Sequence, residues 1–264
     1  MKKDILFFPL FILFVVIVLC LGMNSCKGSD KITDENSKNG NKSTVTEDTL
    51  VKNKKLIDID STYNLIIYKP NYSKVELACI NRPSKANDSI IMMIGAAFTG
   101  AKLEKFDHSN ICGSHTSKGV FYKNAPNPRY TGTFTFVNGI PQFYYKEDYD
   151  KILENVALNG GCGFIQDMII HSDTIVPQTR NLTRVEQYRA LSLLNNELVV
   201  IDSNRPIKYE LFLSALKSLA VKEAIYTDMG DGWNYSWYRD NDGNVVELHP
   251  GPYKYSSNWI TFYK

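Results

Sequence analysis

From Leu56 to Lys264 short apolar runs alternate with polar positions, and Gly, Pro, Asn or Asp interrupts them about every ten residues. β-branched and aromatic residues fill most runs, the pattern of half-buried strands rather than helices. Residues 62–68, 74–81, 90–97, 119–123, 132–137 and 140–145 read as strands, and Asn138-Gly139 between the last two is a type I′ hairpin signal. Further strands are expected at 163–171, 188–194, 198–202, 223–227, 237–240, 245–248 and 259–263, with tight turns at Asn195-Asn196 and Asp242-Gly243. Helical spacing is rare. Residues 206–220 place Ile207, Leu211, Leu216 and Leu219 on one face, with Phe212 and Ala215 beside them and Pro206 in the first turn. A shorter helix is expected at 148–157, with Ile152 and Val156 at i, i+4. The order strand 198–202, helix, strand 223–227 predicts a βαβ unit with a parallel pair. The fold class is therefore α+β: a β-rich mixed sheet with hairpins, few helices and one βαβ unit near the C-terminus.

The N-terminal pattern differs. Lys2 and Lys3 precede an apolar stretch, 5–21, interrupted only by Pro9, which reads as an export signal. Its 17 residues approach the length of a membrane span, so an uncleaved anchor is the alternative. Gly22-Met23-Asn24-Ser25-Cys26 resembles the lipobox of bacterial lipoproteins, which implies cleavage before Cys26 and a lipid anchor on its thiol. Residues 27–55 are dominated by Lys, Asn, Ser, Thr, Asp and Glu, too polar to anchor a core, and read as a disordered tether with a reach on the order of 30 Å. The expected organisation is a signal peptide, 1–25, a tether, 26–55, and one domain, 56–264, exported to the cell envelope and held to a membrane through Cys26.

Of the 264 residues 44% are apolar, ordinary for a globular chain. Loss of the first 25 residues takes the net charge only from +2 to +1, so nothing electrostatic points to nucleic acid. Cys79, Cys112 and Cys162 remain for an exported domain. A Cys112–Cys162 bridge is expected, since both adjoin glycine in loops, with Cys79 buried on a strand. His108, His115, His171 and His249 show no short metal spacing, and neither a metal nor a cofactor is expected. No Gly-x-Ser-x-Gly elbow is present, which argues against an α/β-hydrolase.

The most informative stretch is 224–239. A β-prone run ends abruptly in Asp228 and Asp231, interleaved with Gly230 and Gly232 and followed by Trp233, Asn234, Tyr235 and Trp237. Glycines at a strand end let a ligand approach the backbone, and the rings offer flat apolar faces suited to a sugar. The plain alternatives are a hairpin whose aspartates bond their own backbone and indoles that belong to the core. Arg180, Arg184 and Glu186 form a charge cluster that reads as a solvated face.

These residues resemble the phosphodiester glycosidase family. Tyr188-Arg189-Ala190-Leu191 is similar to its arginine-bearing strand, 198–202 to the next strand, 207–219 to its helix, and 224–232 to its terminal Asp-Gly-Gly-Gly-Ser signature. Ile94-Gly95-Ala96-Ala97-Phe98 falls where the family has an Asn-Gly-Gly-like turn ending in an aromatic residue. The resemblance implies hydrolysis of the sugar–phosphate bond of a glycosyl-1-phosphodiester. It assigns Arg189 to the phosphate, Asp228 to water activation or oxocarbenium stabilisation, and Asp231 to a second carboxylate. Gly230, Gly232, Trp233, Asn234, Trp237, Gly95 and Phe98 are its expected substrate contacts. Met229 replaces a signature glycine, Trp233-Asn234 displaces the closing serine, Ile94 stands for the asparagine and Ala96 for a glycine. A non-catalytic carbohydrate-binding lipoprotein is accordingly the alternative expectation.

Overall fold

The structure is a computed structural model that describes residues 55–100, 107–249 and 255–264. These fall in one compact unit, Lys52–Lys264. The expected signal, the tether up to residue 54 and Cys26 lie outside the described residues. In chain order the strands are β1 (Ile57–Ser61), β2 (Leu65–Pro70), β3 (Lys74–Cys79), β4 (Ile90–Gly95), β5 (His115–Ser117), β6 (Val120–Tyr122), β7 (Gly132–Val137), β8 (Ile140–Tyr145), β9 (Cys162–Gln166), β10 (Met168–His171), β11 (Thr174–Ile175), β12 (Val185–Glu186), β13 (Arg189–Leu194), β14 (Glu197–Ser203), β15 (Ile207–Lys208), β16 (Glu223–Tyr226), β17 (Trp237–Arg239), β18 (Val245–Glu247) and β19 (Asn258–Tyr263). The α-helices are α1 (Tyr149–Leu158) and α2 (Tyr209–Ser218). No helix among the described residues is long and apolar enough to cross a membrane.

The fold is α+β and β-rich, as the alternation predicts. A seven-stranded sheet runs β1-β2-β14-β13-β16-β10-β11, and two five-stranded sheets run β18-β17-β4-β19-β3 and β6-β5-β9-β7-β8. In the large sheet side chains point alternately to its two faces. Ala190, Val199, Ile201, Ala224 and Tyr226 pack with Phe212, Leu213 and Leu216 of α2. Their neighbours Leu191, Val200 and Ile225 join Met92, Ile94, Phe134, Phe164, Ile260 and Phe262 of the other two sheets. Both faces are therefore covered, which explains the near-continuous apolar runs of β13 and β14. The Asn138-Gly139 turn joins β7 and β8 in register, both residues having positive φ.

The βαβ expectation needs correction. β14 and β16 run the same way but are not paired: both hydrogen-bond antiparallel to β13, which lies between them, while α2 makes the crossover. A second correction concerns 163–171, where the Gln166-Asp167 break divides one expected strand into β9 and β10 in different sheets. A third is the helix face. Tyr209, Phe212, Leu213 and Leu216 are buried, Leu211 is exposed, and Pro206 precedes β15 rather than opening the helix. The fourth is the disulfide: all three cysteines are free, because Cys162 sits inside β9 with its Sγ directed at the Val75 carbonyl.

Candidate active-site cleft

The cleft forms where β16 leaves the large sheet. The Asp228 backbone N–H donates to the Ala96 carbonyl at 3.0 Å, so the loop after β16 lies directly over the end of β4. Gly95 permits this: a Cβ there would stand 3.0 Å from the Asp228 carbonyl oxygen and 3.3 Å from that of Trp233. Gly230 adjoins the Trp233 ring, and Gly232 turns the chain at φ +86°. The Asp228 carboxylate accepts the Gly230 N–H at 3.1 Å and is only 6% exposed.

Asp228, Met229, Gly230, Asp231 and Asn234 line a hollow of about 380 Å³ with Phe98, Tyr226, Arg180 and Arg184. An adjoining hollow of about 340 Å³ shares Phe98, Arg180 and Arg184 and adds Arg129, Tyr130 and Asp167. Together they make a cleft with acids and guanidinium groups on its walls. Burial raises the Asp228 carboxyl to about 7, although the Gly230 and Thr99 N–H groups and the charge of Arg180 favour its ionised form. A carboxyl poised near neutrality can exchange a proton at working pH.

Arg180 is the least exposed of the three guanidinium groups on this cleft. Its guanidinium lies 3.9 Å from the Tyr226 ring centroid and bonds the Asp167 carboxylate at 2.9 Å. Burial raises Asp167, with Arg180 partly opposing it. Nε of Arg180 and Oδ1 of Asp167 are buried without a hydrogen-bond partner.

Arg189 is elsewhere. It faces Asp202 across the β13–β14 ladder, Nε to Oδ1 at 2.6 Å and Nη2 to Oδ2 at 2.7 Å, and Nη1 donates to Ser236 Oγ at 2.5 Å. Its side chain is fully buried. Burial opposes ionisation of Asp202, yet Arg189 and His249 hold its carboxyl below the usual range. The expected phosphate role of Arg189 is thus corrected: its donors are spent inside the protein. Trp237 is likewise core, packed with Met93 and Trp259. The Trp233 ring packs against that of Tyr255, centroids 5.0 Å apart and planes tilted at 32°, and Gly95 lies beneath the loop.

Sequence reading missed Arg180, Asp167, Arg129 and Tyr130. The available signal was the polar pair Gln166-Asp167 inside an apolar run, which marks a strand break rather than a continuous strand. For Arg180, the charge cluster was visible, but which member turned inward was not.

The class that this fold defines is a β-rich α+β domain, and no sequence-family model and no curated protein matches the chain. The particular likeness is to the catalytic domain of zebrafish N-acetylglucosamine-1-phosphodiester α-N-acetylglucosaminidase, auto-inhibited by its pro-peptide, with TM-score 0.55 and 12% identity over 80% of this chain and 82% of that one. A hypothetical protein from Synechocystis matches with TM-score 0.41 and 11% identity, over 79% of this chain and 61% of that one.

Proposed function

We propose that the protein hydrolyses the sugar–phosphate bond of glycosyl-1-phosphodiesters in glycans or surface polymers. The observation that carries this reading is a buried carboxyl near neutrality, Asp228, in one cleft with the Arg180 guanidinium. The ionised Asp228 takes a proton from water, the water oxygen bonds to the anomeric carbon, and the bond from that carbon to the phosphate oxygen breaks. The phosphomonoester leaves with the electron pair, so acid assistance is dispensable. Arg180 meets the phosphate charge, Phe98 supplies an apolar wall, and Asp231 and Asn234 offer polar contacts to sugar hydroxyls.

The test is release of sugar from an aryl-phosphodiester of N-acetylglucosamine by the full chain. We expect turnover to fall by at least about a hundredfold in Asp228→Asn, in keeping with the usual weight of general base catalysis. Because the base form is required, kcat/KM rises with pH and levels off above about 7. Equal rates for wild type and variant, or a flat profile between pH 5 and 9, would remove Asp228 from the reaction. Binding without turnover favours the second reading, a non-catalytic carbohydrate-binding protein. That reading draws support from Ile94, fully buried where the resemblance calls for asparagine.

We extend the proposal to export and lipid anchoring at Cys26, supported by the basic and apolar N-terminal pattern. Cys26→Ala should move the protein from the membrane fraction to the soluble fraction or leave an uncleaved precursor. An unchanged mature mass and an unchanged fraction would exclude the anchor.

A further inference from the structure

Cys79 and two histidines seven residues apart, His108 and His115, converge away from the residues that line the cleft. Cys79 ends β3, His108 lies in a single 3-10 turn, His108–Asn110, and His115 opens β5. One ligand atom from each lies within 4.8 Å of the others. His108 Nδ1 and His115 Nε2 are 2.9 Å apart. Tetrahedral zinc, with bonds of about 2.0 to 2.3 Å, spaces its nitrogen and sulfur ligands by roughly 3.3 to 3.7 Å, inside the range these atoms span.

The surroundings prepare the rings. His115 Nδ1 stands 3.2 Å from the Gly113 carbonyl, which only accepts, so Nδ1 carries the proton and Nε2 presents its lone pair to the cluster. Tyr122 stacks on His108 with centroids 3.5 Å apart and planes at 3°, fixing the other imidazole. The Asn124 side-chain amide donates to the His108 and Ile111 carbonyls and holds the turn that presents His108. His115 is fully buried, while Cys79 and His108 are partly open, leaving an entry path and a place for a fourth ligand. A hydrogen bond between two histidines accounts for the pair alone. It does not account for a thiol brought to the same point from another sheet.

We propose that Cys79, His108 and His115 form a site for a borderline-soft divalent ion of the zinc class. One thiolate with two imidazoles suits zinc and excludes calcium and magnesium, which take oxygen ligands. On binding, the Cys79 thiol loses one proton to solvent and its sulfur bonds the metal. His108 moves its proton from Nδ1 to Nε2, so one proton is released per ion. β3 and β5 belong to different five-stranded sheets, so the ion staples them. It also steadies the segment whose Cys112 N–H bonds the Phe98 carbonyl at 2.8 Å, next to the cleft wall. The absence of short histidine spacing in the sequence is no obstacle, because the ligands come from three separate elements.

The experiment strips the full chain with a chelator and titrates it with Co²⁺ and then Zn²⁺. We expect one equivalent of cobalt to give a thiolate-to-cobalt charge-transfer band, zinc to bleach it with release of one proton, and zinc to raise Tm. Cys79→Ser should abolish the band and Cys112→Ser should retain it. His108→Gln, in a partly exposed turn, should weaken zinc by more than about tenfold, the lower end of losses seen even for outer-shell changes. That variant serves if Cys79→Ser does not fold. No charge-transfer band, a band that survives Cys79→Ser, unchanged affinity in His108→Gln, or a Tm indifferent to zinc would overturn the proposal.

Discussion

At the scale of single residues, two arginines divide roles that look interchangeable in sequence. Arg189 pairs in two-point fashion with Asp202 inside the sheet, and removing it leaves a buried carboxylate with the His249 imidazole at 3.3 Å but no guanidinium. Arg189→Ala should therefore cost about 3–5 kcal/mol of stability, read by denaturant unfolding. Arg180→Ala should leave the fold largely intact and raise KM for a phosphodiester substrate. If Arg180→Ala proved the more destabilising of the two, the division would fail. Asp228 has the opposite stability logic. Its carboxyl is raised in the folded protein to about 7, against about 4 in an unfolded chain. The stability linked to its proton is fully present below the unfolded value and is lost as pH rises through about 7. Asp228→Asn removes that loss, so the variant should match wild type near pH 4 and exceed it at pH 8 by up to about 4 kcal/mol, taking about 1.4 kcal/mol per pH unit. Thermal unfolding at the two pH values checks this; a variant less stable than wild type at pH 8 would contradict it.

At the scale of elements, the β-prone runs of β7, β8, β13 and β14 carried the strands, and Asn138-Gly139 carried a hairpin, because both signals are local. The order of strands was not legible. Nothing in 198–227 says that β13 inserts between β14 and β16, since antiparallel neighbours of either strand satisfy the same apolar pattern. The aspartate at the end of β16 was readable from its glycines, whereas Arg180 and Asp167 meet only through tertiary packing. Leu211 shows the same limit on α2: helical spacing grouped it with Leu216, yet the buried stripe runs through Tyr209, Phe212, Leu213 and Leu216. Gly95 belongs to this scale because it sets the distance between two elements. A methyl group there meets the Asp228 carbonyl at 3.0 Å and must lift the loop from the end of β4. Gly95→Ala should lower kcat more than it lowers Tm, with far-ultraviolet circular dichroism unchanged. Wild-type turnover in that variant would show that the loop tolerates displacement.

At the scale of the whole molecule, one apolar cluster draws residues from all three large sheets: Leu191, Val200 and Ile225 from the first, Met92, Ile94 and Phe262 from the second, Phe134 and Phe164 from the third. No sheet can lose its contacts with this cluster without exposing the apolar face of another, so unfolding of the domain should be a single cooperative event. Phe164 tests the argument. It is fully buried in β9, packs on Phe134 at 5.7 Å between centroids, and lies among side chains of the neighbouring sheets. Phe164→Ala should cost about 3–5 kcal/mol, and at this size each kcal/mol corresponds to roughly 2–4 °C. Calorimetry should then show one transition displaced downward by about 6–20 °C. Two resolved transitions, with only one displaced, would mean that the third sheet melts independently and that the cluster does not couple the sheets.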